Sequence, residues 1–356
     1  MTTTQIDQAK AEAFAEKMFG FVNGAFISLM ASLGHRSGLF DTIAGIPPST
    51  SDEIAKAAGL NERYVREWLG GMVTGGIIDY DAATKAYRLP AEHAAFLTTA
   101  AGPDNLAFFT QYVPLLGNVE DELLECFRNG GGVPYSSFPK FQPIQAEESG
   151  RVYDTMLIDV TLPLVPGLVE QLKAGIEAAD VGCGQGHAIN LMARAFPNSR
   201  FTGYDFSEEG VAAGAAEAKA MGLSNATFRA QDAATLSEPG RFDFVMAFDA
   251  IHDQGHPRKV LRNIARALKP DGTFLMVDIA ASSNLEENIG NPWAPLFYGW
   301  STMHCMTVSL AQGGEGLGTC WGEEKARELL AEAGFKSVDA KQVEGDPINY
   351  YYICRK

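Results

Sequence analysis

The chain has 356 residues, of which 46% are hydrophobic and 20% charged, and its formal net charge is −16. That length carries two domain cores and that composition excludes a disordered chain. The acidic surplus opposes binding to nucleic acid phosphates wherever a local basic patch is lacking. Five cysteines (Cys126, Cys183, Cys305, Cys320, Cys354), with no Cys-x-x-Cys pair, indicate free thiols rather than a disulfide framework or a zinc site. The apolar run Phe21 to Leu33 is interrupted by Asn23 and Gly24 and reads as too short to span a bilayer. The polar, partly acidic residues before it are unlike the basic start of a signal peptide. The expectation is a cytoplasmic protein with no membrane partner.

From Gly24 to Leu97 the pattern is three helices followed by two short strands. Ser51-Asp-Glu-Ile-Ala-Lys-Ala-Ala-Gly59 predicts a helix capped by Ser51 and stopped at Gly59, and Asn61 caps the next. Gly76 to Leu89 predicts a hairpin wing. This winged helix-turn-helix outline suggests a DNA reader, but residues 1–100 hold eight Lys and Arg against eleven Asp and Glu, a balance of −3. In the would-be recognition helix, Glu62 and Glu67 offset Arg63 and Arg66. A reader of duplex DNA needs a basic surplus on that face, so a packing and dimerisation module is expected and no nucleic acid partner.

Residues 101–167 read as a helical connection. Ala101-Gly-Pro-Asp-Asn and Asn129-Gly-Gly-Gly-Val-Pro break it, and the aromatic-rich helices around them either roof a pocket or bury apolar faces between domains.

Residues 168–356 carry the chemistry. Gly175 to Val181 predicts a short strand, and His187 to Phe196 an amphipathic helix with Ile189, Met192 and Phe196 at helical spacing. Between them stands Asp180-Val-Gly-Cys-Gly-Gln-Gly186, where a Cβ at Gly182 or Gly184 is expected to block a ligand lying against bare backbone. Strand-to-helix turns of this kind bind nucleotides in doubly wound sheets. A dinucleotide fingerprint needs glycine at position 187, where this chain has histidine, so a nicotinamide cofactor is disfavoured.

Further along, Phe201 to Asp205 predicts a second strand ending in an acid suited to a ribose diol. Asp232 follows a third strand; simple turn or helix capping is the other use open to both acids. Arg241 to Phe248 is an apolar strand that exits into a loop carrying His252 and Asp253, and Leu268 to Asp278 is a turn and fifth strand. A neutral imidazole at the carboxyl end of a sheet can serve as a general base near neutral pH. Asp253 is placed to orient it. His252 and His256 have the spacing of a two-histidine metal pair, but Gly255 and Pro257 break the helix this needs, so no metal is expected. His304 lies in an aromatic-rich insert that either walls a substrate pocket or packs a dimer contact. After a last helix over Glu323–Gly334, the strands Lys336–Val343 and Asn349–Cys354 are placed to form an antiparallel hairpin.

The order of these landmarks resembles class I S-adenosylmethionine-dependent methyltransferases. With the winged-helix outline it resembles small-molecule O-methyltransferases of the plant and polyketide type. The resemblance implies a Rossmann-like α/β sheet of seven strands with an antiparallel C-terminal hairpin, a mainly α winged-helix domain in front, and a homodimer. It implies S-adenosyl-L-methionine as cofactor, with Asp180, Gly182, Cys183 and Gly184 at the methionine and ribose end and Asp205 at the ribose hydroxyls. Phe206 is implied at the adenine face, Asp232 and Ala233 at its edge, and Phe248 near the sulfonium. His252 takes the place of the family's general base, with Asp278 at one of the bracing acids. The chain departs from the family at Gln254, where an aromatic residue usually follows His-Asp, and near Cys320 and Trp321, where a second bracing acid has no clear counterpart. A small flat or apolar acceptor methylated on oxygen is expected. Transfer to nitrogen or carbon with His252 orienting the substrate, or a winged-helix regulator sensing the same cofactor, are the alternatives.

Overall fold

The computed structural model describes residues 6–356, which form two compact units dividing between Gly117 and Asn118. The stretch 101–167 is shared between them, its first part belonging to the N-terminal unit and the remainder to the C-terminal one.

The N-terminal unit begins with α1 (Gln8–Arg36), α2 (Leu39–Ala44), α3 (Ser51–Ala58) and α4 (Glu62–Thr74), followed by β1 (Asp79–Asp81) and β2 (Ala86–Arg88). The two strands pair antiparallel with Tyr80 opposite Tyr87, which is the wing. The cap of α3 is Thr50 rather than Ser51. Glu53 stands three residues after Thr50 and accepts its backbone N–H at 2.8 Å, while the Thr50 hydroxyl accepts from the Glu53 N–H. This reciprocal capping box satisfies two donors that Ser51 could not reach. Phe40, Ile54, Leu69 and Met72 form the core with Trp68, whose indole N–H donates to the Met30 carbonyl at 2.7 Å and ties α4 to α1.

The reading of Phe21–Leu33 as a short interrupted run is corrected here. Helix α1 continues through Asn23 and Gly24 for 29 residues and is long and apolar enough to cross a membrane. Intrahelical hydrogen bonding carries it past residues of poor helix propensity. Phe14, Phe19, Phe21 and Phe26 on it are all exposed.

The C-terminal unit is built on seven strands: β3 (Glu177–Val181), β4 (Arg200–Asp205), β5 (Ala226–Ala230), β6 (Phe242–Phe248), β7 (Leu268–Ile279), β8 (Ser337–Val343) and β9 (Asp346–Arg355). Their order across the sheet is β5-β4-β3-β6-β7-β9-β8. The first five are parallel, and β9 inserts antiparallel between β7 and β8. Residues alternate between faces with the period of two that a pleated strand imposes. Thus Phe244 and Met246 of β6 join the core with Ile189 and Met192, whereas Val245 and Ala247 join that with Leu261 and Ile264. From β3 the chain runs outward to β5, then returns to place β6 on the other side of β3. A crevice opens beyond the carboxyl ends of strands at such a switch.

Candidate functional site

The chain leaves β3 through a turn in which Gly182, Gly184 and Gly186 have φ of 82°, 53° and 72°. These angles are open to glycine and strained for other residues. The three glycines nevertheless serve different purposes. A Cβ on Gly182 would run into the Ala250 methyl group of the β6 exit, and one on Gly186 into the Phe228 ring. A Cβ on Gly184 would meet nothing within 4 Å. Gly184 therefore faces the crevice, while Gly182 is fixed by packing, which corrects the expectation that both keep a ligand path clear. The amides of the turn are also largely committed: those of Gly182 and Cys183 donate to the Tyr204 carbonyl, that of Gly186 to the Cys183 carbonyl, and that of Gly184 to Asp205 Oδ2 at 2.8 Å.

Asp205 shapes this turn, taking the Ser207 N–H on its other oxygen at 2.9 Å. Burial raises its pKa and the backbone N–H groups oppose that rise. Asp232 caps a short turn by accepting the Ala234 N–H at 2.8 Å, beside a buried Ala233. Both acids thus perform the capping role, and each carboxylate oxygen keeps a lone pair for a further donor. Phe206 is 55% exposed, with the Tyr135 ring edge-on at 5.3 Å, and Phe248 lies against Tyr153 at 5.1 Å. Cys183 packs at Gly203, and burial holds its thiol protonated.

Asp180 differs from these capped acids. It is buried, its Oδ1 has no hydrogen-bond partner, and burial together with the Asp205 charge pushes its pKa up to about 8. Asp249, just past β6, has a second unpartnered, buried Oδ1 and a φ of 48°, a left-handed conformation rare outside glycine. Burial and then Asp278 raise its pKa, with His252 opposing. The charges of Asp180 and Asp249 both bear on the buried phenol of Tyr153. Sequence reasoning missed Asp249 and Tyr153; the available signal for Asp249 was a lone acid at the end of the apolar strand Phe242–Phe248.

His252 is 3% exposed, and its Nδ1 lies 2.7 Å from Asp278 Oδ1. That oxygen also accepts the Trp321 indole N–H at 3.0 Å and the Ile279 N–H at 2.9 Å. The second brace sought near Cys320 is therefore an indole acting through Asp278. Cys305, also buried, acts on the imidazole and helps to raise its pKa. Burial opposes a charge on His252, but Asp278 and Cys305 together outweigh it and hold the pKa well above the ordinary value. Asp253 is pushed up to about 6 by burial against the pull of His252, and among the described residues its carboxylate has no hydrogen bond to the imidazole. The aromatic insert supplies His304 and Cys305 from one π-helical turn, Ser301–Cys305, and a second π-helical stretch, Tyr153–Thr161, supplies Tyr153. Such turns concentrate at functional sites.

A glycine turn at the switch point, acids at neighbouring strand ends and a buried His–Asp pair thus make up the candidate site. Residues 172–341 match the family described as a methyltransferase domain, and residues 25–99 match the Rv2258c-like winged HTH domain. The C-terminal unit thus carries a methyltransferase domain, preceded in the chain by a winged-helix domain. The uncharacterized methyltransferase YcgJ of Bacillus subtilis is 33% identical over 109 residues, which is 30% of this chain and 42% of that protein. The chain spans less than half the length of the curated relatives it matches. Two solved structures share the fold across both units. Human N-acetylserotonin methyltransferase in complex with SAM has a TM-score of 0.70 and 17% identity, covering 100% of this chain and 99% of that one. The mitomycin 7-O-methyltransferase MmcR has a TM-score of 0.71 and 20% identity, covering 98% and 100%.

Proposed function

We propose that the protein transfers a methyl group from S-adenosylmethionine to a hydroxyl oxygen of a small, flat or apolar molecule. The observation that carries this reading is the His252–Asp278 pair, placed one strand away from the glycine turn at the carboxyl end of the sheet. The residues present suit the cofactor: Asp180 and Asp249 hold unpartnered carboxyl oxygens, which favour a ligand bearing positive charge, and Gly184 leaves its side of the turn open. In this reading Asp205 meets the ribose, Phe206 lies on the adenine, Asp232 and Ala233 meet its edge, and Phe248 lines the sulfonium side with Cys183 behind the turn. When bound, the cofactor supplies an electrophilic methyl group.

The protein's own task is to make the acceptor oxygen nucleophilic and to align it. Asp278 holds Nδ1 of His252 and leaves Nε2 for the acceptor hydroxyl, whose proton it takes. Trp321 and the Ile279 amide keep Asp278 in place, and burial of the pair excludes water. The Cys305 thiol yields its place beside the imidazole to the acceptor. Asp253 contributes a neighbouring acid that sets the polarity of this wall. The raised pKa of His252 favours one further reading, in which a charged imidazole orients an acceptor methylated on nitrogen or carbon. Turnover of His252→Ala and His252→Gln separates the two: near-normal rates in both variants would end the general-base role.

The N-terminal unit serves as a dimerisation module in this reading. The exposed phenylalanines of α1 suit a second copy of the chain better than water. In α4, Arg63 pairs with Glu67 at 2.5 Å and Arg66 with Glu62 at 3.4 Å, which weakens both as phosphate contacts. The free thiols suit the cytoplasm. Light scattering should give twice the chain mass; a monomer, a detergent-dependent species or a duplex shift in moderate salt would contradict this part.

A further inference from the structure

His304 is fully buried, yet among the described residues neither of its ring nitrogens has a hydrogen-bond partner. Its ring stacks on Phe141 at 3.7 Å and 9°, with Phe138 edge-on at 4.7 Å and Tyr135 at 5.4 Å. Burial, reinforced by the charge on His252, drives its pKa down to about 3. The ring is therefore neutral, with one N–H donor and one lone pair, both unused. Buried polar groups are almost always satisfied, and one left bare on both sides marks a place where a partner is missing.

Three observations connect this ring with the reacting centre. His304 adjoins Cys305, which acts on the His252 imidazole, and the two share a π-helical turn. The His252 charge reaches His304 strongly enough to lower its pKa. Tyr135 touches both His304 and Phe206.

We infer that His304 selects the acceptor by binding a second oxygen next to the one that is methylated, so that the preferred substrate class is an aromatic ring with vicinal oxygens. This rests on the reading of His252 as the acceptor's anchor. The imidazole offers a donor and an acceptor together, which matches a hydroxyl, and the surrounding rings make its setting apolar and aromatic. The missing-oxygen analogue leaves a buried imidazole unpaired, the situation in which binding sites discriminate most strongly.

The test compares catechol and phenol binding by calorimetry to protein saturated with S-adenosylhomocysteine. Wild type should prefer catechol by about tenfold or more. His304→Phe keeps the stacked ring, and it should bind the two probes equally while holding S-adenosylhomocysteine normally. Its unliganded Tm should rise, because two unsatisfied nitrogens are gone. His304→Gln, with a donor and an acceptor of its own, should restore part of the preference. Equal binding of the probes by wild type, an unchanged preference in His304→Phe, or a fall in its Tm would overturn the proposal. Loss of S-adenosylhomocysteine binding by wild type would instead remove the reading beneath it.

Discussion

Oδ1 of Asp278 accepts Nδ1–H of His252 at 2.7 Å while its Oδ2 accepts nothing among the described residues, so one oxygen, shared with Trp321 and Ile279, carries the coupling. Asp278 both aims the imidazole and raises its pKa.

Replacing Asp278 by Asn removes the charge and keeps the shape. The wild-type rate should climb as pH rises through the elevated pKa of His252, because a base must first lose its proton. In Asp278→Asn that limb should move to lower pH, and the plateau should fall by roughly 10²–10⁴-fold as orientation is lost. Stability has a matching sign. The folded pKa of His252 exceeds its unfolded value, so the pair stabilises fully below the unfolded pKa and this contribution fades as pH rises through the folded one. A pH–rate profile and urea titrations check both.

Trp321→Phe deletes one N–H from a buried carboxylate. Loss of a hydrogen bond to a charged group predicts a destabilisation of about 1.5–3 kcal/mol, read by urea unfolding, together with a lower kcat at unchanged KM.

The glycines should separate by what lies beside them. Gly182→Ala drives a methyl group into Ala250, and Gly186→Ala drives one into Phe228, so each should cost roughly 1–3 kcal/mol in stability. Gly184→Ala meets open space. Its larger effect should be on the affinity for S-adenosylhomocysteine, with only the backbone strain of about 1 kcal/mol in stability.

Cofactor binding should release protons. Asp180 is pushed up to about 8, so it is mostly protonated at pH 7, and a cationic ligand beside it lowers that value. Affinity for S-adenosylmethionine should therefore increase with pH up to about 8 and then level off. Calorimetry in buffers of different ionisation enthalpy should show proton release at pH 7 that Asp180→Asn reduces.

The sheet was legible from the chain because β3, β4, β6 and β7 are apolar runs bounded by glycine, acids or turns, and the glycine turn marks where they meet. Asp278 was legible as a brace through the family resemblance, which puts an acid at the end of the fifth strand. Trp321, Cys305 and Tyr135 were not, because their partners lie 43, 53 and 169 residues away along the chain in the case of Asp278, His252 and His304 and no local period links them. The commitment of the turn's amides to Tyr204 and Asp205 escaped for the same reason, since it depends on the register of β3 against β4. The length of helix α1 was not legible because Asn23 and Gly24 are locally poor helix formers, whereas a long helix absorbs both.

The most direct test is calorimetric titration of the folded wild-type protein with S-adenosylmethionine and S-adenosylhomocysteine. The crevice formed by Gly184, Asp180 and Asp205 predicts saturable one-to-one binding of both, weakened in Asp180→Asn. A folded protein that binds neither compound would contradict the assignment.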